Sequence, residues 1–557
     1  MPQPGAALRA RHSVRHAWNQ DGGFDQWLGN HSNWVAGVML TLAFLCRLWA
    51  SGGTFLNPDE ALHFEIANRT SLLLAYHASL TIAHPPLLVV VLYFWRALGT
   101  SELMLRLLSV IAGTIFCWVF WKWLTSIFGR SVGWIGLVLA CFLPSTIELS
   151  AEVRQYALFL LFSTSAAYLA ERAFAEDSSS AMLLSSLCLY LAMLSHYSAF
   201  LFAAILGVYC ILRIATRHFS AKVVAGWAIG QMGAVALALF LYRTQLSTLG
   251  RNFPGSPTLR NFGDWFLKDF YYHPGRHNLA SFIYHKSFGV FRFIFGQRTI
   301  GGAAAVGFLA AVIMLLRAKQ NSETGIALRQ LGIFLLLAFV LGCSAGIAGV
   351  YPYGRTRHSA FLIVFGIAGV SFLLARLASG RIGRGVALTV LVVAACQTFA
   401  TLQEPDMLPR SGQQRSQMAQ AMNFIHQQIP PTDLIFVPFA TGLQMEYYLC
   451  DHKMVEIDQS VPGFRSFDCG GQQVISTDMH GRDFSAADFP GFWAEMVKAY
   501  DLPPGNTVWV IQAGWSGSLG DDLKRKFQEF AAIKPRSFGP HIGLFKITVG
   551  QAMPGAF

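Results

Sequence analysis

His84-Pro85-Pro86-Leu87-Leu88-Val89-Val90-Val91-Leu92-Tyr93-Phe94-Trp95-Arg96-Ala97-Leu98 is apolar enough to enter a membrane and barely long enough to cross one. Its reading decides the topology of everything after it. Counted as a span, it inverts every later loop and moves Lys122 and Arg130 to the outer side. Taken as a helix lying in the outer interface, with Pro85 at its first turn, it leaves one consistent threading. Around it, runs of about 15 to 25 apolar residues recur from Trp34 to Leu402. We place spans at 33–51, 102–124, 132–150, 155–170, 181–195, 198–213, 222–241, 299–316, 329–349, 358–375 and 385–402. That gives eleven, each able to cross a hydrocarbon core of about 30 Å with some tilt or thinning.

With the N-terminus inside, fifteen Lys and Arg fall on cytoplasmic turns and seven on the opposite side, the long 242–298 loop set aside. Composition agrees. The 557 residues are 54% hydrophobic and 13% charged, yet carry a net charge of +12. This excludes a disordered chain and speaks against a soluble nucleic-acid binder. Residues 1–402 hold a net +16 and residues 403–557 a net −4, so the positive charge belongs to the apolar part. The expected organisation is a cytoplasmic segment 1–32, a transmembrane domain 33–402 with outer loops 52–101 and 242–298, and an extracytoplasmic α/β domain 403–557. The first apolar run has no small-residue cleavage site close behind it and reads as a retained anchor.

In the last 155 residues, short apolar runs at 434–437, 507–511 and 544–549 alternate with helix-like stretches at 415–428, 442–449, 486–500 and 521–533. Seven of nine cysteines lie in apolar spans as small buried hydrophobes. Cys450 and Cys469 are the pair that could bridge in an oxidising compartment. No Cys/His cluster has zinc spacing, so no structural metal site is expected.

The first 402 residues contain only fourteen acids, and eight of them fall on the outer side. Asn57-Pro58-Asp59-Glu60 reads two ways. Asn57 suits an N-cap, Pro58 the first helical position, and Glu60 could close a capping box; Asp59 has no equally specific structural task and is the stronger candidate for chemistry. Glu148 and Glu152 stand one helical turn apart, followed by Arg154 and Tyr156. They serve either an ion pair with Arg154 or a second acidic group facing Asp59. His196 lies in the tight turn between the fifth and sixth spans, as a structural residue or a ligand. Arg355, Arg357 and His358 meet at the mouth of the tenth span, where guanidinium forks suit either lipid headgroups or a bound phosphate. The 243–298 loop mixes eight basic and two acidic residues with aromatics, the pattern of interfacial helices, and is compatible with a cover over a cleft.

There is no GxxxxGK[ST] phosphate loop, HExxH or GxSxG motif. The ordered set Asn57-Pro58-Asp59-Glu60, His84-Pro85-Pro86-Leu87, Ser101-Glu102 with Arg106-Leu107-Leu108-Ser109, and Glu152-Val153-Arg154-Gln155-Tyr156 resembles the GT-C membrane glycosyltransferases. The nearest branch is the group of protein mannosyltransferases, aminoarabinose lipid A transferases and lipopolysaccharide-core transferases. The likeness runs through residues 34–240, with His196-Tyr197 and 355–358 as later matches.

The resemblance implies an all-α polytopic membrane protein with outer juxtamembrane helices, joined to the α/β domain. It implies transfer of a hexosyl or pentosyl group from a polyprenyl-phosphate-linked donor to a glycan, lipid or protein hydroxyl on the outer face. Asp59 matches the family's catalytic acid, with Glu60 beside it, and His84 stands where the lipid A enzymes have a phosphate-contacting lysine. Some relatives carry an aspartate after the Arg-x-Tyr element; here 157–160 contain no acid, which leaves Glu152, then Glu148, as the second carboxylate. Arg154, Arg355, Arg357, His84 and His358 would hold the donor phosphate, with Arg106, Glu148, His196 and Tyr156 in support. The expected partners are this donor, the acceptor and membrane lipids, with no nucleic acid. No cofactor motif is present, and a divalent cation stays open. The expected location is the bacterial inner membrane. The competing reading is a transporter or flippase of lipid-linked saccharides, which would want ionisable residues deep in mid-span.

Overall fold

A computed structural model describes residues 31–247, 267–322, 325–378, 380–401, 413–478, 484–527 and 533–550. Residues 1–30 of the expected N-terminal segment, the join at 402/403 and the Trp265-Phe266 pair of the long loop lie outside them.

Among the described residues, helix covers most of each of the eleven apolar runs. The chain begins with α1 (Ser32–Gly52), then makes three short helices, α2 (Pro58–Ala67), α3 (Leu72–Ser79) and α4 (Leu87–Trp95). The bundle continues with α5 (Glu102–Phe128), α6 (Arg130–Phe142), α7 (Pro144–Glu148), α8 (Tyr156–Glu176), α9 (Ser179–Ser195), α10 (Ala199–Thr216) and α11 (Ala221–Leu241). It closes with α12 (Leu279–Phe295), α13 (Arg298–Arg317), α14 (Leu328–Ile347), α15 (Phe361–Leu377) and α16 (Arg381–Thr401). Seven helices among the described residues are long and apolar enough to cross a membrane. Trp34, Leu45 and Trp49 of α1, Met232 and Val235 of α11 and Val306 of α13 are exposed, as lipid-facing side chains should be. The protein is an integral membrane protein.

Two runs differ from expectation in detail. The run 132–150 is split, because Pro144 forces Leu143 into extended backbone (ψ 137°) and α6 stops after 13 residues, about 20 Å. In the opening stretch, α4 starts at Leu87 rather than at Pro85, with Pro86 as its N-cap; a residue before proline is driven out of helical backbone. At nine residues α4 is about 14 Å long, half of what crossing requires. Among the described residues of the long loop lies α12, whose Phe291, Phe293 and Phe295 enter the main core beside α13.

The C-terminal segment forms a six-stranded mixed sheet of order β2-β3-β1-β4-β6-β5. Its elements run α17 (Arg415–Gln428), β1 (Leu434–Val437), α18 (Phe439–Tyr448), β2 (Phe464–Cys469), β3 (Gln472–Thr477), α19 (Phe489–Ala499), β4 (Thr507–Ala513), α20 (Leu519–Lys526), β5 (Arg536–Ser537) and β6 (Ile542–Thr548). Alternate strand residues pack on opposite faces. Phe436, Val508, Val510 and Phe545 meet Phe489, Trp493 and Met496 of α19. Ile435, Val437, Ile511 and Leu544 meet Met418 and Met422 of α17 and Met445 of α18. Cys450 and Cys469 are bridged, tying the end of α18 to the end of β2 with Cα atoms 4.7 Å apart. The β2–β3 hairpin is absent from the sequence reading, although its Gly470-Gly471 turn, both at positive φ (68° and 97°), is a hairpin signal.

Candidate active site

The site is assembled at one end of the helical bundle, where α1, α9 and α11 finish and α5, α8 and α15 begin. Its first piece is the start of α2. Asn57 caps that helix, accepting the Glu60 N–H at 3.0 Å while the Glu60 carboxylate accepts the Asn57 N–H at 3.0 Å. This is the capping box that Asn-Pro-Asp-Glu spells out.

Glu60 does more than cap. Arg106 donates to it through Nε (2.8 Å) and Nη2 (2.7 Å), and Val153 N–H at 2.9 Å. Both residues are 1% exposed. Arg106 spends its other protons on the Ser51, Thr54 and Phe55 carbonyls at 2.8, 2.8 and 3.0 Å. Burial by itself would raise the Glu60 carboxyl; Arg106 and the two N–H donors outweigh it and hold Glu60 below the ordinary carboxylate range. The pair is a knot tying the loop after α1 to α5.

Asp59, freed from that task, points the other way. Its Oδ2 lies 2.9 Å from Arg154 Nη1 and 2.6 Å from Arg357 Nη2. Arg154 comes from the turn before α8, where its N–H donates to the Glu152 carbonyl at 2.8 Å. Arg357 opens the 3-10 turn Arg357–Ala360 that leads into α15. The Tyr156 ring lies 5.8 Å from the Arg154 guanidinium and 6.0 Å from that of Arg357. His196 stands against Tyr156 at 5.0 Å and against His358 at 5.9 Å, and its Nδ1 is 2.7 Å from Ser198 Oγ. Glu152 is 4% exposed and its charge acts on Arg357. Glu148 ends α7, half-buried. Arg355 is half-buried with its backbone against Gly289 of α12.

Two site residues escaped the sequence reading. His63 sits one turn after Asp59 on α2, 1% exposed and stacked on His84 at 5.5 Å. The i, i+4 spacing from Asp59 was the available signal. Burial and Arg154 drive His63 down to about 3, against the pull of Asp59. Burial, Arg154 and the neighbouring histidines also push His84 well below its ordinary range. Gln245 is the second, carried inward by the π-helical turn Tyr242–Leu246 after α11. Its Nε2 donates to the carbonyls of Ser79 (2.8 Å) and His84 (2.7 Å), and its Oε1 accepts from the Tyr197 hydroxyl at 2.7 Å. It fixes the loop that presents His84.

The sheet domain closes directly on the loop that leads into α2. Gln444 Nε2 donates to the Leu56 carbonyl at 2.7 Å and the Leu56 N–H donates to the Tyr448 hydroxyl at 2.7 Å. Phe55 is buried in the core between α17, α18 and the sheet. Gly514, at φ 101°, lies against Pro58; a Cβ there would sit 2.6 Å from the proline ring.

Chemically, the cluster offers a carboxylate held by two guanidinium groups that keep protons to spare. Arg154 Nε, Arg357 Nη1 and the Tyr156 hydroxyl are buried without a hydrogen-bond partner. No group of three or more His, Cys, Asp and Glu side chains is placed to hold a metal ion among the described residues.

Residues 83–242 match the family described as dolichyl-phosphate-mannose-protein mannosyltransferase. This stretch takes in His84, Arg106, Glu148, Glu152, Arg154, Tyr156 and His196, and begins after Asp59. Curated proteins give no match. Among solved structures, ArnT from Cupriavidus metallidurans in the apo state is similar over 94% of this chain and 100% of that one, at 13% identity and a TM-score of 0.53. The same protein bound to undecaprenyl phosphate gives 94%, 100%, 14% and 0.50. The oligosaccharyltransferase of Archaeoglobus fulgidus, tethered with an acceptor peptide, gives 77% of this chain, 12% identity and a TM-score of 0.46; this chain spans 64% of its length. The resemblance to GT-C transferases read from the sequence therefore holds for the matched family segment and for the fold.

Proposed function

We propose that this protein is a GT-C glycosyltransferase that moves a hexosyl or pentosyl group from a polyprenyl-phosphate-linked donor to an acceptor hydroxyl of a glycan, lipid or protein. The observation that carries the reading is the Asp59 carboxylate bound by Arg154 and Arg357, both of which retain buried, unpartnered N–H groups. The undecaprenyl phosphate bound in the similarly folded Cupriavidus protein supports a lipid phosphate as the ligand.

In this reading the donor phosphate competes with Asp59 for the two guanidinium forks and releases the carboxylate. Asp59 takes the proton of the acceptor hydroxyl as that oxygen attacks the sugar's anomeric carbon. The bond from that carbon to the phosphate oxygen breaks, and its electron pair stays on the phosphate. Arg154 and Arg357 meet the developing charge, assisted by His84 and His358. Arg355 is proposed to contact the same phosphate from the α12 side. Glu152 is the proposed second carboxylate, with Glu148 behind it. Glu60, its oxygens filled, acts with Arg106 as the support that aims Asp59 rather than as a reacting group. His196 and Tyr156 form the floor.

The fifteen-to-seven distribution of basic residues, the 242–298 loop set aside, supports an N-terminus in the cytoplasm and a site and sheet domain on the opposite face; the proposed location is a bacterial inner membrane. The test is transfer of labelled sugar from a polyprenyl-phosphate donor by purified protein in detergent. Wild type should transfer, and Asp59→Asn should be slower by about 10²- to 10⁴-fold; near-wild-type turnover of the variant would remove Asp59 as the base.

A further inference from the structure

The arginine protons and the Tyr156 hydroxyl are accounted for by a bound phosphate, whereas His63 is not. Its two ring nitrogens are buried with no hydrogen-bond partner. A neutral imidazole carries one donor and one acceptor, and both go unused here, which is uncommon for a buried histidine. The ring lies on the Asp59 side of α2 and is stacked on His84.

The groups acting on His63 are Asp59 of its own helix, Arg154 from the turn before α8, Arg357 from the start of α15, and His84 from the loop before α4. Elsewhere on α2, Arg106 of α5 pairs with Glu60 at 2.7 Å, and Arg465 of β2, paired with Glu446 of α18, lies 3.9 Å from Glu65; the remaining contacts are apolar, from Ala75 of α3, Val89 and Leu92 of α4, and Phe439 and Leu443 of α18. His77 of α3 and its neighbour Leu74 are exposed.

We propose that His63 takes up a proton when polyprenyl phosphate occupies the site, and donates it in a hydrogen bond to a phosphate oxygen. The proposal rests on the transferase reading above. The donor is a phosphodiester with a single negative charge, whereas the released lipid is a monoester whose second ionisation lies near pH 6, so the leaving group is a dianion at neutral pH. That second charge appears in a buried site whose arginines are already shared with Asp59. In the resting protein burial and then the arginines keep the ring neutral; a dianion beside it reverses the sign of the local field and supplies the acceptor that a buried imidazolium needs. During turnover the proton comes from the acceptor hydroxyl by way of Asp59, one helical turn away, and in a binding experiment it comes from solvent. No other bond changes, and the proton returns to solvent when the lipid leaves.

The experiment is titration calorimetry of the purified full-length protein with undecaprenyl phosphate at pH 7.5, in two buffers of different ionisation heat. Wild type is expected to take up about one proton per lipid bound, with affinity falling as pH rises from 7.5 to 8.5. His63→Asn and His63→Gln are expected to bind with markedly less uptake and a flatter pH dependence. Binding by wild type with no uptake overturns the proposal and leaves the transferase reading standing. Uptake that persists undiminished in both variants also overturns it, placing the proton on the phosphate or on His84. Failure of wild type to bind the lipid at all overturns the phosphate site itself.

Discussion

Asp59 and Arg357 stand 298 residues apart in the chain and 2.6 Å apart in the fold. The contact joins the first loop of the bundle to the mouth of α15, so donor binding should be sensitive to a residue remote in sequence from the acid. Removing charge-assisted hydrogen bonds costs about 1.5–3 kcal/mol, roughly 10- to 150-fold in affinity. Arg357→Ala should weaken polyprenyl phosphate binding by that amount, measured by calorimetry. Unchanged affinity would take Arg357 out of the phosphate site.

Glu60 and its neighbour should separate cleanly. Glu60→Gln leaves the Arg106 charge buried without its counter-ion, a loss of about 3–5 kcal/mol. A large fall in the unfolding temperature is expected in detergent, against a small one for Asp59→Asn. Per folded molecule, Glu60→Gln should retain far more turnover than Asp59→Asn; the reverse order would make Glu60 the reacting carboxylate.

The grip of α18 on Leu56 predicts an effect at a distance. Gln444→Ala removes one hydrogen bond to the loop, about 1 kcal/mol, and should slow turnover by up to about tenfold through misplacement of Asp59. Circular dichroism of the sheet domain should stay as in wild type. Full activity in a Gln444→Ala, Tyr448→Phe double variant would show that the loop holds its shape unaided.

Acid should destabilise the protein. The ordinary histidine value is 6.5 and that of folded His63 is about 3, so the unfolded chain binds more protons between them. The stability from keeping His63 neutral is whole above pH 6.5 and is lost as pH falls toward 3, at about 1.4 kcal/mol per pH unit. Glu60, held below its ordinary range, contributes in the same direction at lower pH. Unfolding temperatures should fall between pH 7 and 5, and by less in His63→Asn; an equal slope would mean that other groups set it.

The apolar runs made the bundle legible because length and hydrophobicity alone commit a segment to a membrane helix. The capping box was legible for the same local reason: Asn57 and Glu60 are three residues apart, and their bonds are made within one turn. What the sequence left open was partnership. Whether Arg154 pairs with Glu148, Glu152 or Asp59 is decided by the turn at 149–155 and the approach of α15, neither of which has a local code. Gln245 was invisible because its value lies in reaching carbonyls more than 160 residues away. The β2–β3 hairpin was passed over because Phe464–Thr477 is largely polar and its two-glycine turn was not weighed.

The clasp of α18 on the loop before α2 also sets a timetable. Leu56 is made early, yet the side chain that holds its carbonyl lies 388 residues further on. At about 5–20 residues per second the ribosome needs roughly 20–80 s to cover that distance. Through that interval the nascent bundle has its membrane helices but an unfinished acid loop, so chains released early should insert into the bilayer and remain inert.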